Sequence, residues 1–235
     1  RVLFRSGGGA LSQWLVRHWL VPALGGQGGA LHDAALLQAP GRRLAVSTDS
    51  YVVHPLEFAG GDIGRLAVLG SLNDLAMAGA RPLALSLGLI LEEGLPLATL
   101  ERVVASIRLA CEQSAVAVIT GDTKVVERGR ADGLYINSSG IGLLETQRPI
   151  GPEAIRPGDQ LLVSGDLGRH GVAVLAARHG LALEPPLVSD CAPLWPLVER
   201  LLQAGVQPHG LRDLTRGGLA AALQELAQAS DLGMV

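Results

Sequence analysis

Four aspartates, three at the edges of apolar strands and one within an apolar helix, are carboxylates that could meet around a cation. They are Asp33 in LHDAALL, Asp49 in VSTDS, Asp74 in SLNDLAMAGA and Asp122 in ITGDTK. A buried carboxylate is costly unless it is paired, hydrogen-bonded or bound to metal. Dispersed carboxylates suit Mg²⁺, which takes oxygen ligands, keeps water molecules and is often shared with substrate phosphates. A helix cap or buried hydrogen bond could account for any one of the four, but less readily for all of them.

Asp74 gives the sharpest signal, because it falls within a predicted helix over residues 62–79. At spacings of three and four it completes a stripe of apolar and small residues, which we expect to be the buried face: Ile63, Leu66, Ala67, Gly70, Met77 and Ala78. We therefore expect Asp74 to bind metal rather than to serve as a structural acid of the helix.

Lys124 is the only lysine among the 19 basic residues of the chain. It follows Asp122 by two positions, so in a strand both side chains would point to one face. An ammonium group beside a metal-binding carboxylate suits a triphosphate. An ordinary surface lysine is the alternative.

Two glycine-rich segments could bind phosphate through backbone N–H groups. Gly7, Gly8 and Gly9 form one, with a mobile terminus as the alternative. The other is DLTRGGLAAAL, in which Asp213, Thr215 and Arg216 precede a Gly-Gly turn that opens a predicted helix. A simple helix cap explains this second segment about as well. Neither a Walker A pattern nor a GxGxxG fingerprint is present.

The two cysteines carry no catalytic signature. Cys111 falls on the apolar face of a predicted helix and should be inert packing, whereas Cys191, in SDCAP, is expected to be more exposed. They provide no disulfide framework, which fits a reducing compartment and a cytoplasmic location.

The elements that must position these residues mix strands with helices, a pattern typical of a layered α+β domain. Periodicity and turn residues predict helices over 10–20, 62–79 and 96–114, and strands over 33–37, 44–48, 83–91, 115–120 and 134–144.

A boundary is expected where RPIGPEAIRPGD (residues 148–159) interrupts this pattern with proline and glycine. We therefore predict a first domain over residues 7–147 and a second over 148–235. The second should contain a strand at 160–164 and helices at 170–178, 193–202 and 217–230.

Composition excludes several classes of protein. Hydrophobic residues make up 48% of the 235-residue chain and charged residues 17%, which supports an apolar core rather than disorder. The net charge of −3 gives no basic field for nucleic acid or an anionic membrane. No apolar run approaches the length of about 20 residues that a membrane span needs.

The motifs also carry a family resemblance. LHDAALL, STDSYVVHPLEFAGGDIGRLAVLGSLNDLAMAGARPLALSLGLILEEGLP, ITGDTKVV and LRDLTRGGLAAAL follow one another in order. Together they resemble the HypE family of hydrogenase maturation factors, within the ATP-binding superfamily of aminoimidazole ribonucleotide synthetase. The resemblance runs from Gly7 to the end of the chain.

This resemblance implies a two-domain α+β protein whose N-terminal ATP-binding domains pair into a dimeric barrel. Asp33, Asp49, Asp74 and Asp122 match the Mg-ATP carboxylates of the superfamily, and Lys124 matches the lysine of the family's GDTK motif. Asp213, Thr215 and Arg216 match the second-domain loop that faces the phosphates.

The activity that the resemblance implies is an ATP-dependent carbamoyl dehydratase of nickel–iron hydrogenase maturation. A carbamoyltransferase loads a C-terminal cysteine, and dehydration of the resulting thiocarboxamide to a thiocyanate provides the cyanide ligand. Hydrogenase-assembly scaffold proteins are further expected partners, whereas nucleic acid and membrane are not.

Some features depart from the family pattern. His32 stands where an acidic residue or asparagine is usual, and no cysteine lies at a mobile C-terminal tail. We therefore expect a truncated second domain, a non-native leader over residues 1–6, and no dehydration by this stretch alone. A kinase or synthetase of the same superfamily and a non-catalytic assembly partner are the alternative functions.

Overall fold

The computed structural model describes residues 14–23, 43–146 and 148–234. Gly7, Gly8, Gly9, Asp33, His32 and the strand predicted over residues 33–37 lie outside the described residues. Six strands follow in chain order: β1 (Leu44–Tyr51), β2 (Glu57–Phe58), β3 (Gly61–Asp62), β4 (Ala80–Glu92), β5 (Ala117–Val126) and β6 (Leu134–Leu144).

Four of these strands form one mixed sheet in the order β1-β6-β4-β5, and β2 pairs with β3 in a separate hairpin. Strands β1 and β4 both run antiparallel to β6, whereas β4 and β5 are parallel. Parallel neighbours need a crossover between them, and the helix after β4 provides it. The predicted α+β layering is confirmed.

Within the described residues six α-helices accompany the strands, and a π-helical turn at Val16–Leu20 precedes the first. They are α1 (Val21–Ala23), α2 (Ile63–Met77), α3 (Leu97–Gln113), α4 (Arg169–His179), α5 (Trp195–Gln203) and α6 (Gly218–Ser230), with a 3₁₀ turn at Pro152–Ala154. No helix in the described ranges is long and apolar enough to cross a bilayer.

Helices α2 and α3 cover one face of the sheet and form the core with it. Asp62 caps α2 by accepting hydrogen bonds from the backbone N–H groups of Gly64 (2.6 Å) and Arg65 (3.0 Å). Gly79 ends the helix in the left-handed region, with φ of +71°. The largest fully buried side chains come from these two helices and from the strands beneath them: Ile63, Leu69, Leu75, Leu85, Leu91, Leu100, Ile107, Leu134 and Ile136.

The stripe predicted for α2 is wrong as a buried face. The residues buried along this helix are Ile63, Gly64, Ala67, Val68, Leu69, Ser71, Leu72, Leu75 and Ala76. Leu66, Gly70, Asp74 and Met77 are only partly buried. The helix is apolar on most sides because it contacts the sheet, α3 and α5 together. Asp74 consequently lies at the border of the core, facing β1.

The predicted strand at residues 160–164 does not form. Leu162 is 93% exposed, and no strand lies beside this segment in the described part of the chain. An extended segment becomes a strand only when a neighbour completes its hydrogen-bond ladder. The three helices predicted after it are confirmed within one or two residues at each end.

Residues 189–194 fasten the second part of the chain to the first. The N–H of Ser189 donates to the carbonyl of Ala59 (2.8 Å), and the Asn73 side chain bonds both the Ala192 carbonyl and the Leu194 N–H. The division between residues 147 and 148 stays a prediction, since these contacts describe attachment rather than independence.

Both cysteines are unreactive thiols by environment. Cys111 is buried in α3, as predicted, and burial raises its pKa to about 11. Cys191 is not exposed as expected: it packs against the core, and burial raises its pKa also to about 11. The Arg65 guanidinium donates to the Cys191 carbonyl (3.1 Å), which holds this residue against α2.

Candidate functional site

The site is built on the side of β1 that faces α2. Alternate residues of a strand point to one side, so Ser47, Asp49 and Tyr51 line up there. Ser47 Oγ donates to Asp74 Oδ2 at 2.6 Å, and the Tyr51 hydroxyl donates to Asp49 Oδ2 at 3.2 Å. The structure thus brings two of the predicted metal residues, Asp49 and Asp74, to one place between strand and helix.

Asp213 joins them from the loop that precedes α6. Burial and, after it, the negative charges of Asp74 and Asp49 raise its pKa to about 6, against the positive charge of Arg212. Burial likewise raises the pKa of Asp74, and the Asp49 charge adds to this, against the Ser47 hydrogen bond. We call Asp49, Asp74 and Asp213 the acidic cluster. Residues far apart in sequence concentrate negative charge here.

Two sequence features let the strand and the helix approach at this point. Gly70 provides the space, because a Cβ atom there would lie 2.0 Å from the Tyr51 hydroxyl. Asn137 fixes the strand from the other side, since its Nδ2 donates to the Asp49 carbonyl (2.9 Å) and to Ser50 Oγ (3.0 Å). The position of Asp49 is therefore set by both neighbours of β1.

Asp122 and Lys124 lie elsewhere, on β5 at the opposite edge of the sheet. Asp122 pairs in register with Gly88, whose neighbours Leu87 and Leu89 point into the core. The Asp122 and Lys124 side chains therefore project from the face that the helices leave open. Across the sheet, three strand spacings separate them from β1, roughly 14 Å.

This edge pair, Asp122 with Lys124, is solvated. Lys124 Nζ lies 3.0 Å from Asp122 Oδ2, with the two side chains 70% and 69% exposed. The Lys124 hydrogen bond holds the pKa of Asp122 below its ordinary value. Within one chain the pair does not meet the acidic cluster.

Some of the remaining predicted positions lie within the described residues and others lie outside them. Thr215 and Arg216 lie in the loop before α6 with Asp213, and both are exposed. That loop is the glycine-rich segment singled out in the sequence, and Gly217 and Gly218 both adopt positive φ at the start of the helix. Asp33 and the Gly7–Gly9 loop lie outside the described residues.

The acidic cluster fits a cation by its chemistry. Burial and neighbouring carboxylate charge raise the pKa of Asp74 and of Asp213, against the opposing charge of Arg212, and a divalent ion would relieve the repulsion among these carboxylates. Over residues 14–23, 43–146 and 148–234, however, no three His, Cys, Asp or Glu side chains are arranged to hold a metal by themselves. The donors therefore suit Mg²⁺, whose remaining ligands would be water and phosphate oxygens.

Sequence reasoning missed Ser47 and Tyr51, which hold the two carboxylates. The signal that could have found them is the period of two in STDSY, which places both residues on the face of β1 that carries Asp49. Sequence reasoning also missed a polar contact on the open face of the sheet, where Ser139 Oγ donates to Thr48 Oγ1 (2.7 Å).

Two family models match successive parts of the chain. The N-terminal domain of AIR synthase related protein matches residues 31–144, and its C-terminal domain matches residues 156–235.

Individual relatives share both sequence and fold. The chain is 51% identical over 205 residues to carbamoyl dehydratase HypE of Rhodobacter capsulatus. This alignment covers 87% of this chain and 60% of the relative. Hydrogenase maturation protein HypE, solved in complex with ATP, superposes with a TM-score of 0.92 at 46% identity, covering 96% of this chain and 67% of that one. A structure of a HypE–HypF complex superposes with a TM-score of 0.77 at 41% identity. The match covers 95% of this chain and 71% of the chain in that structure.

The chain thus spans about 60% of the length of the first of these relatives. Its identity to solved HypE structures over two thirds or more of their length, together with the two AIR synthase related domains, settles its family. The chain belongs to the HypE family of hydrogenase maturation proteins.

Proposed function

We propose that this chain forms the Mg-ATP site of a carbamoyl dehydratase that serves nickel–iron hydrogenase maturation. The observation that carries the proposal is the convergence of Asp49, Asp74 and Asp213 beside the Ser47–Asp74 and Tyr51–Asp49 hydrogen bonds; burial, with the Asp74 and Asp49 charges, raises the pKa of Asp213 to about 6. Partly buried carboxylates close together are the kind of site that a divalent cation with bound phosphates stabilises. The HypE relative solved with ATP supports nucleotide as the ligand.

In this proposal the residues of the chain bind and orient rather than react. The acidic cluster, with Asp33, holds the cation, whose charge when bound offsets that of the triphosphate. The Asp213–Arg216 loop and the Gly7–Gly9 loop supply N–H groups and positive charge to phosphate oxygens. Neither Cys111 nor Cys191 serves as a nucleophile, because burial keeps both thiols protonated.

The substrate is proposed to be a thiocarboxamide carried on a cysteine of the whole protein. Its dehydration to a thiocyanate would remove the amide oxygen as phosphate: the γ-phosphoryl group of ATP would bond to that oxygen, the C–O bond would break, and the two amide protons would leave with the phosphate and the solvent. For such a phosphoryl transfer the protein needs only to position the reacting groups and to neutralise the phosphate charge.

A homodimer is part of the proposal, because the open face of the sheet is suited to a second copy. Its rim carries exposed apolar residues, Val46 being 71% exposed and Leu44 and Ile90 about 40%. Asp122 and Lys124 project from this same face, away from their own acidic cluster. We propose that Asp122 and Lys124 complete the nucleotide site of the partner copy, because the acidic cluster of their own chain lies on the other side of the sheet.

The proposed partners outside the dimer are a carbamoyltransferase and the scaffold proteins of hydrogenase assembly. The HypE–HypF complex among the similar structures supports the first of these. The proposed location is the cytoplasm, where two free thiols would remain reduced.

The central test is a carbamoyl-transfer assay on a full-length protein that carries this sequence. After incubation with the carbamoyltransferase, carbamoyl phosphate and Mg-ATP, intact-mass spectrometry should find a carbamoyl adduct that then loses one water. An adduct that persists with ATP present would reject the dehydratase, and the absence of ATP binding by calorimetry would reject the nucleotide site.

Mixed dimers test the shared site. Lys124→Ala and Asp74→Asn chains, each deficient alone, should recover about half of the parent nucleotide-binding sites when combined in one dimer. In that dimer one site would contain both substitutions and the other neither. No recovery in a verified mixed dimer would show that each chain builds its site alone.

A further inference from the structure

A chain of hydroxyl groups runs from the core to Asp49. Ser138 Oγ donates to the carbonyl of Ala67 at 2.7 Å, and the Ser71 and Ser138 hydroxyls lie 2.7 Å apart. Both serines are completely buried. The Ser71 hydroxyl in turn neighbours the phenol of Tyr51, which contacts Asp49.

Counting protons fixes the direction of this chain. A hydroxyl donates one proton, and Ser138 gives its proton to Ala67 because a carbonyl oxygen only accepts. Ser71 must then donate to Ser138, through the hydroxyl oxygen or through the Ser138 carbonyl at 3.4 Å. Whatever Ser71 contributes to the phenol oxygen, the hydrogen bond that the Tyr51 hydroxyl itself donates goes to Asp49 Oδ2, at 3.2 Å.

The surroundings of Tyr51 hold it in this role. Its hydroxyl occupies the space over Gly70, where no side chain larger than hydrogen would fit. The neutral phenol has one proton to donate, and Asp49 Oδ2 lies within reach of it at 3.2 Å.

We propose that Tyr51 is a positioning residue for the proposed metal site: its single proton holds Asp49 Oδ2 and so restricts rotation of the carboxylate that would bind the cation. The inference rests on the proposed Mg-ATP function and extends it to a residue that touches neither metal nor nucleotide. In the described part of the chain, the Tyr51 hydroxyl is the only hydrogen-bond donor to the Asp49 carboxylate. Without the Tyr51 hydrogen bond, Asn137 still anchors the Asp49 backbone, but the Asp49 side chain is free to rotate.

The chain offers a matched control in its only other tyrosine. The Tyr135 hydroxyl also contacts an aspartate, Asp132 Oδ2 at 3.4 Å, and accepts from the Asp132 N–H at 3.2 Å, but at an exposed turn away from the acidic cluster. Tyr51→Phe and Tyr135→Phe therefore remove the same atom from the same type of pair. Ser71→Ala adds a variant that breaks the buried chain while leaving the Tyr51–Asp49 bond.

The experiment measures ATP affinity by calorimetry at a series of free Mg²⁺ concentrations, and once in EDTA. For Tyr51→Phe we expect the half-saturating Mg²⁺ concentration to rise three- to tenfold, with affinity in EDTA unchanged. Tyr135→Phe should match the parent. Ser71→Ala should lower the midpoint of thermal unfolding but leave the Mg²⁺ requirement within twofold, which separates positioning from a general loss of packing.

Each outcome decides a different point. A Tyr51→Phe protein with the Mg²⁺ requirement of the parent overturns the positioning role while the Mg-ATP site stands. A loss of affinity that is equal with Mg²⁺ and with EDTA also overturns it, because that pattern indicates a structural defect. A parent protein that binds no Mg-ATP rejects the proposed function and the inference together.

Discussion

The acidic cluster and the edge pair represent two ways in which a protein can hold a carboxylate. Asp74 and Asp213 lie partly buried beside like charges, and burial raises both pKa values. Asp122 lies in solvent beside Lys124, which lowers its pKa. The first arrangement is unfavourable unless something else occupies the site, whereas the second is satisfied as it stands.

The difference teaches where to look for the ligand. A cluster of partly desolvated carboxylates is the feature on which the proposed cation site rests. The energetics of a solvated ion pair at a sheet edge do not point to any ligand. The role of such a pair depends on what binds to the open face of the sheet. The predictions below follow this contrast from its largest expected effect to its smallest.

Replacing Asp74 with Asn should have the largest effect. The amide keeps the shape of the side chain and accepts from Ser47, so the fold should survive. Loss of the charge should weaken Mg-dependent ATP binding by about 2–3 kcal/mol, measured by calorimetry. Asp132→Asn, at an exposed turn, is the control and should bind like the parent. If Asp74→Asn did so too, the residue would be structural.

Replacing Lys124 with Ala tests the edge pair. ATP binding should weaken by about 1.5–3 kcal/mol, the range for a lost charge-assisted hydrogen bond. The free energy of unfolding should change by less than about 0.5 kcal/mol, because exposed ion pairs contribute little. Arg108→Ala removes an equally exposed pair with Glu112 and serves as the control. Unchanged ATP affinity in the Lys124 variant would leave the pair without a role in nucleotide binding.

Replacing Asp213 with Asn should stabilise the protein. The folded chain holds a proton on Asp213 up to about pH 6, whereas the unfolded chain releases it near pH 3.8. Between these values the native state binds more protons, so the contribution of Asp213 to stability falls as pH rises. The variant should gain about 1–2 kcal/mol over the parent at pH 7, after allowance for the solvent that reaches this side chain.

Urea unfolding of both proteins at pH 4 and pH 7 measures this gain, which should nearly vanish at the lower pH. Asp159→Asn should behave in the opposite sense. Hydrogen bonds from the Arg156 N–H and from His209 lower the pKa of Asp159, so its stabilising effect is lost as pH falls. A gain for Asp213→Asn that is equal at both pH values would show that its carboxylate is not raised in pKa by the cluster.

Several elements before residue 148 could be predicted from the sequence because their signals are local, whereas the short β2–β3 hairpin was not predicted. The helix cap at Asp62 and the strand over residues 134–144 follow from residue types a few positions apart. The strand at residues 160–164 could not be predicted in this way, since a strand also needs a partner that the local pattern does not contain. The buried face of α2 was misjudged for a related reason: three neighbours, not one, cover that helix.

For the candidate site, the sequence by itself determined which residues carry charge, their spacing along each strand, and the family to which their motifs belong. Only the tertiary structure decided which of them meet. It joined Asp213 to Asp49 and Asp74 across more than 130 residues of chain, and it placed Asp122 and Lys124 on the other face of the sheet. Periodicity assigns a side chain to one side of its own element. Which elements lie against that side is set by strand order and helix packing, which no local pattern records.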